Sequence, residues 1–417
     1  MGLAQNVGLG HPTATPHHGL SFRPLSPARP YSDTRVSTSL LAEAPLPDPS
    51  ETPGRFFLPG PTEVSRVVLD AQARPMMGHR GADIKELVRE LQEGLQAALL
   101  TERPVFIGTS SATGFMEAGV RNAASHRILS LTNGAFSERF AAIARACGLT
   151  VDTLSVEWGE GHDPEMVRER LAERRYEAVT VCHSETSTGV LNPVADIARV
   201  IREHDDTLVL VDSVSGAAGA ELRTDEWGLD WLLTGSQKAF ALPPGLAFGV
   251  ASERMLARSE TVASKGVYFD LLEYQKQMEL FQTPTTPALT LLYSLREQLQ
   301  AMCKEGIQAR WARHLAMAVR CWDWVSHMRE ECGVGLEVLA PEGFRSPTVT
   351  CVSLPEGVGG ASIVGAMKER GYVIGAGYGK LKDTTIRIGH MGDHTMQELE
   401  TLLDVLGAVF RGLNSGQ

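Results

Sequence analysis

The chain has 417 residues, 43% of them hydrophobic and 21% charged, with a formal net charge of −11. That length exceeds one small core and fits two domains, or a large α/β domain with a smaller partner. The acidic balance argues against broad electrostatic binding of nucleic acid, and no apolar run is long enough to span a bilayer.

Residues 1–51 are rich in Pro, Ser, Thr and Gly and lack periodicity, so a flexible leader is expected there. Before Glu43 its only acid is Asp33, against Arg23, Arg29 and Arg35. A transit peptide shares that bias, but the amphipathic Arg-rich helix is missing. A dispensable extension or a misplaced start codon is the better reading.

Order is expected to begin near Arg55, and strands and helices then alternate. Arg103–Ile107 reads as a strand and Ser111–Ala124 as a helix; Arg127–Leu131 and Ser137–Cys147 repeat the pair. Asp163-Pro164-Glu165 starts another helix, with a capping Asp and Pro at the first position. Ala178–Cys182 is a strand, Val194–His204 a helix, and Leu208–Asp212 a continuous apolar strand ending in an acid. Trp231–Leu233 and Leu246–Ala251 complete the set. Apolar strands in a βαβα rhythm imply a mainly parallel sheet covered on both faces. From Pro287 to about Met328 the pattern is helical, as in a long linking helix. Strands Thr348–Leu354 and Thr385–Ile388 with helices Ala361–Arg370 and Met396–Phe410 then suit a small α+β domain. The expected division is a leader (1–51), a large domain (52–300), and a linking helix with a small C-terminal domain (301–417).

Parallel sheets place ligands at the carboxyl ends of their strands. Lys238, in Gly235-Ser236-Gln237-Lys238, follows one such strand. By position alone it is a surface lysine. Its small and apolar surroundings suggest instead a desolvated amine, which attacks carbonyls as the free base. Asp212 ends the neighbouring strand and reads either as a cap or as the partner of a protonated ring nitrogen. Gly108-Thr109-Ser110-Ser111-Ala112-Thr113-Gly114 lies between strand and helix, an N-cap or an anion site. Phe136, in Asn133-Gly134-Ala135-Phe136, is a core aromatic or a ring-stacking one. His183-Ser184-Glu185-Thr186-Ser187-Thr188-Gly189 is dense in hydrogen-bonding groups. Arg387 alternates with isoleucines on a strand, as a structural ion pair or a carboxylate fork.

The cysteines at 147, 182, 303, 321, 332 and 351 form no CxxC pair, so neither a zinc site nor a disulfide framework is suggested. Reduced buried thiols in a cytoplasmic protein are the expectation. Gly375–Lys380 (GAGYGK) lacks the Ser or Thr that a nucleotide loop places after GK, so it reads as a glycine-rich loop.

Taken in order, LPGP (58–61), GHR (78–80), SATGFMEA (111–118), NGAFSER (133–139), HSETSTGVL (183–191), VDSVS (211–215), GSQKAF (235–240), PPGLA (243–247) and RIGHMG (387–392) resemble one family. It is the class V, fold-type I aminotransferases dependent on pyridoxal 5'-phosphate (PLP), of the alanine–glyoxylate and serine–glyoxylate or pyruvate group. The resemblance runs from about Phe57 to the C-terminus. It implies that Lys238 is the Schiff-base lysine and proton carrier, and that Asp212 pairs with the pyridinium nitrogen. By the same resemblance Phe136 stacks on the ring, Val214 packs on it, and Thr186 lies beside the 3'-oxygen. Ser111, Ala112, Thr113 and Gln237 match the phosphate cup, Arg387 the substrate carboxylate site, and Gly60 the substrate mouth. Thr286 matches a phosphate contact made across a homodimer. The substrates implied are a small amino acid of alanine or serine type and a 2-oxo acid such as glyoxylate or pyruvate.

Three departures stand out: Ala112 where glycine is commonest, Phe136 where some members have Trp, and Thr283-Pro284-Thr285-Thr286 where Tyr-His-His-Thr is frequent. Other readings remain. A lyase or desulfurase on the same fold would need a mobile cysteine near the active site, and Cys351, in an apolar strand pattern, reads as buried instead. A non-catalytic scaffold would not need Lys238, Asp212 and Arg387 together. His79 and Arg80 could read a second anionic group or simply hold a loop.

Overall fold

A computed structural model describes residues 55–414 apart from 205, 264 and 334. The expected leader lies outside the described residues, which belong to one compact unit. In chain order the strands are β1 (Phe56–Phe57), β2 (Val105–Thr109), β3 (Arg127–Thr132), β4 (Thr150–Ser155), β5 (Ala178–Cys182), β6 (Ser184–Glu185), β7 (Val190–Leu191), β8 (Leu208–Asp212), β9 (Trp231–Gly235), β10 (Leu246–Ala251), β11 (Glu337–Val338), β12 (Val349–Ser353), β13 (Val373–Ala376) and β14 (Thr385–Gly389).

Seven of them form one sheet in the order β2-β10-β9-β8-β5-β3-β4. It is parallel from β9 to β4, and β10 runs antiparallel to both its neighbours. The central strands β5, β8 and β9 are buried along their whole length. Their continuous apolar sequence follows from being covered on both faces. The pleat sorts them: Val209 and Val211 pack on one side with Ile197 and Leu299, while Leu208 and Leu210 pack on the other with Phe115 and Phe140.

The second sheet has the order β1-β13-β14-β12-β11. Ile374, Ile386 and Ile388 from it pack on Trp324, Leu402 and Leu406 of the helices Ile307–Cys332 and Met396–Asn414. Strand β1 enters this sheet by pairing parallel to β13, so Phe56–Phe57 sit with C-terminal elements. The segment after β1 then passes directly over Lys238.

Two sequence expectations change. The helical stretch after Pro287 is two helices, Leu289–Glu305 and Ile307–Cys332. Gly306, at φ +81°, ends the first in a conformation that L residues avoid, so the chain turns without a proline. Strand β4 was not among the expected elements. It is an edge strand with no fully buried residue, and TVDTLS carries only two strong hydrophobes.

Candidate active site

The parallel strands end at one cleft. Lys238, just beyond β9, is 7% exposed, and its Nζ donates to the Pro59 carbonyl oxygen. The surface-lysine reading is therefore overturned. Burial, reinforced by the nearby Arg387, lowers its pKa to about 8, against the opposing pull of Asp212. The backbone that presses on it must be glycine: at Gly60 (φ +115°) a Cβ would lie 2.4 Å from Lys238 Cε.

Asp212 ends β8 in register with Cys182 of β5 and Leu233 of β9. Its Oδ1 accepts from the Val214 N–H at 2.8 Å, and Cys182 Sγ lies 3.8 Å from Oδ2. Burial raises its pKa to about 7; Glu185 adds to the rise, while the Val214 N–H and Lys238 oppose it. A buried carboxylate of this kind has an unmet demand for a cationic partner.

Opposite lies an anion cradle. Ser111 caps the helix Ala112–Ala123, but its hydroxyl makes no capping hydrogen bond. That hydroxyl and the positive end of the helix are left to the cleft. Ser111, Ala112 and Thr113 line the cleft together with Gln237. Phe136 lines it too, as do Thr186 and Val214. Thr186 Oγ1 hydrogen-bonds Ser215 Oγ.

Phe136 is held by a device that the sequence concealed. Glu185 is fully buried and accepts from the N–H groups of Phe136 (3.1 Å), Ser137 (2.8 Å) and Ser187 (3.1 Å), and from the Ser187 hydroxyl (2.6 Å). It caps the helix Ala135–Ala146 from another strand. Such a long-range cap has no local sequence signature; only the density of polar groups at 183–189 hinted at it.

Arg387, on β14, is 8% exposed, and burial lowers its pKa. Its Nε donates to the Ala376 carbonyl (2.9 Å) and Nη1 to that of Thr186 (3.3 Å). Among the described residues no carboxylate lies within ion-pair distance, which removes the structural salt bridge as its explanation. Its guanidinium lies 5.4 Å from the ring centroid of Tyr378, which in turn stacks on Phe136 at 5.4 Å. Arg139, also lining the cleft, donates to the Tyr378 hydroxyl at 3.0 Å. Neither Arg139 nor Tyr378 was among the sequence candidates. NGAFSER named Arg139 without a role, and Tyr378 lies in the segment read only as a glycine-rich loop.

Some candidates fall elsewhere. Thr286 is exposed and does not line the cleft of its own chain. Arg80 donates to Gln282 and to the carbonyls of Thr283 and Pro284, which makes it a loop brace. Cys351 is 1% exposed in β12, and burial pushes its thiol up to about 11, unlike a mobile nucleophile. GAGYGK forms the end of β13 and a short 3-10 turn, with no helix for a phosphate.

A donor set of a depressed lysine, a carboxylate lacking a cation, an anion cradle and a flanking aromatic fits PLP. Comparison with known proteins agrees. The model of the family "Aminotransferase class-V" matches residues 65–380. An uncharacterized aminotransferase of Methanocaldococcus jannaschii is 38% identical, over 81% of this chain and 87% of its own. A serine–glyoxylate aminotransferase of Methylorubrum extorquens is 33% identical, over 87% and 92%. The crystal structure of a subgroup IV aspartate aminotransferase from Thermus thermophilus superimposes with a TM-score of 0.77 at 32% identity, over 86% and 99%. The chain belongs to the class-V aminotransferases, transaminases that depend on PLP.

Proposed function

We propose that the cleft transfers an amino group from a small α-amino acid, of alanine or serine type, to a 2-oxo acid such as glyoxylate or pyruvate. The observation that carries this reading is the buried Lys238, its pKa lowered to about 8, at the same cleft as the buried Asp212 and an Arg387 with no acid within ion-pair distance among the described residues. The relatives' names mention both serine and aspartate, so similarity alone leaves the donor open.

Each residue has a role that its surroundings explain. Lys238 Nζ would hold the cofactor through its aldehyde and, as a free amine, would move the Cα proton of the donor. Asp212 keeps the ring nitrogen protonated. PLP, when bound, supplies the electron-withdrawing ring that makes the Cα–H acidic. Ser111, Thr113 and Gln237, with the backbone at Ala112, hold its phosphate. Phe136, Val214 and Thr186, which line the same cleft, would hold the ring and its oxygen. Arg387 spends Nε and one Nη1 hydrogen on carbonyls, so its Nη1–Nη2 edge remains for a bidentate carboxylate. That grip orients the Cα–H toward Lys238. Gly60 leaves room at the mouth.

The active unit we propose is a homodimer, with Thr286 reaching the partner's phosphate cup. In support, the stretch before Thr286 exposes the large hydrophobic side chains Val267 (90%), Tyr268 and Leu280. The described cysteines are free, in keeping with a cytoplasmic protein, and no described helix is long and apolar enough to cross a membrane. A division near residue 300 into large and small domains is also proposed, with Phe56–Phe57 assigned to the small one. Against a lyase or desulfurase reading, the one described cysteine that lines the cleft, Cys182, is buried within β5, and a scaffold reading leaves the three ionisable residues without purpose.

The test is the Lys238→Ala variant, assayed with a panel of amino donors. Loss of turnover supports the assignment, and intact transamination overturns it.

A further inference from the structure

The chemistry proposed above uses one arginine of the cleft, and the structure holds two. Arg139 projects from the helix Ala135–Ala146, one turn beyond Phe136. Its guanidinium carbon lies 4.8 Å from the Phe136 ring centroid. Of its five N–H groups one is used, on the Tyr378 hydroxyl. Among the described residues no carboxylate is within ion-pair distance of it. A half-buried guanidinium that lines a ligand cleft without a counter-ion is a ready anion site.

Tyr378 fixes the spacing between the two arginines. Arg387 lies over its ring face and Arg139 binds its hydroxyl, so a single tyrosine separates the two cations. The backbone is shaped to hold that ring. A Cβ on Gly377 would come within 1.9 Å of the Leu381 carbonyl oxygen, and Gly379 sits at φ +56°. The Gly377 N–H is bonded to the Thr385 carbonyl at 2.8 Å, anchoring the loop to the strand that carries Arg387. The ring is also 37% exposed, so it is not part of a core.

We propose that Arg139 and Tyr378 form the donor side-chain subsite, and that it selects an amino acid with a second, side-chain anion, of the aminodicarboxylic class. Arg387 takes the α-carboxylate and Arg139 the distal one. This rests on the transaminase reading alone, and it replaces the alanine- or serine-type donor proposed above with one of acidic type. The acceptor is unaffected. Arg80, braced on the Gln282 side chain and the carbonyls of Thr283 and Pro284, is not among the residues that line the cleft.

Two experiments on the PLP-loaded full-length protein test it. In the first, conversion of the yellow cofactor is followed with L-aspartate, L-glutamate, L-alanine and L-serine in single half-reactions. The expected result is a kcat/KM for an acidic donor at least tenfold above those for alanine and serine. Arg139→Gln should lower the ratio of acidic to alanine conversion by roughly ten- to a hundredfold, the usual range for one charge-assisted contact. Arg139→Lys should recover part of that ratio, which a merely structural arginine would not explain. In the second, the unreactive probes succinate and propionate are titrated and their dissociation constants measured. Succinate should bind more tightly than propionate, and Arg139→Gln should erase the difference.

If alanine or serine converts the cofactor and neither acidic donor matches them, the subsite proposal is overturned while the transaminase reading stands. Equal binding of succinate and propionate would also overturn it. If no donor converts the cofactor at all, the transaminase reading itself fails, and the inference fails with it.

Discussion

At the scale of single residues, the site is a set of buried ionisable groups with unmet demands. Lys238 is depressed to about 8 and Asp212 raised to about 7, both mainly by burial. The lysine shift bears on cofactor capture, because only the free amine attacks an aldehyde. Capture of PLP by the cofactor-free protein should accelerate with pH around a midpoint near 8. A midpoint near the ordinary lysine value of 10.5 would contradict the burial account. Asp212 has the opposite consequence for stability. Burial makes the folded chain hold that proton more tightly than the unfolded chain does. Through this group the folded state binds more protons between pH 3.8 and about 7, so the contribution of Asp212 to stability falls as pH rises through that window. Burial lowers His183 to about 4 and His390 to about 3, which contributes the opposite slope, so the Asp212 share is read as a difference: in urea unfolding of the cofactor-free protein, Asp212→Asn should gain stability relative to wild type as pH rises from 3.8 to about 7. Arg387→Ala should cost about 1.5–3 kcal/mol of substrate carboxylate binding, roughly 10- to 150-fold in KM. An unchanged KM would count against its role.

At the scale of elements, caps and strand ends explain how these residues are held. Asp163 accepts from the Glu165 N–H at 2.9 Å, at the start of the helix Pro164–Glu173. Asp163→Ala should cost about 1 kcal/mol of stability, measured by urea unfolding, with kcat unchanged. Glu185→Ala should differ in kind. It removes a carboxylate that accepts three backbone N–H groups and a hydroxyl, so Phe136 loses its mooring and both stability and KM for PLP should suffer.

This contrast also marks what the sequence could reveal. The Asp-Pro-Glu cap and the apolar strands Ala178–Cys182, Leu208–Asp212 and Leu246–Ala251 are local patterns, and all match the observed bounds. The places of Lys238 and Asp212 at strand ends were legible in the same way, whereas the roles proposed for them came from the family resemblance. Glu185, Arg139 and Tyr378 were not legible. Their roles arise from contacts across tens to hundreds of residues, and each alone looks like an ordinary polar side chain. Strand β13 hid for a related reason: only four residues long, it overlaps a glycine-rich run. The break at Gly306 shows the reverse case, in which one glycine's backbone freedom overrides a continuous helical pattern.

At the scale of the whole molecule, two sheets meet at one cleft: Lys238 and Asp212 come from the first, and Arg387 and the Tyr378 loop from the second. Strand β1 ties them, since it pairs in the second sheet and continues over Lys238. If Thr286 completes a partner's site, the purified protein should sediment as a dimer of two 45.1 kDa chains. Mixing Lys238→Ala chains with Thr286→Asp chains should then restore activity, because some hybrid dimers would carry one intact site. No recovery in verified hybrids would place each site within a single chain.

The most direct test of the central claim is a half-reaction on the PLP-loaded protein. Wild type should lose its yellow absorbance when an amino donor is added and regain it when a 2-oxo acid follows. The Lys238→Ala protein should complete neither change. A wild-type protein that binds PLP yet shows no cycle, or a Lys238→Ala protein that completes it, would contradict the account.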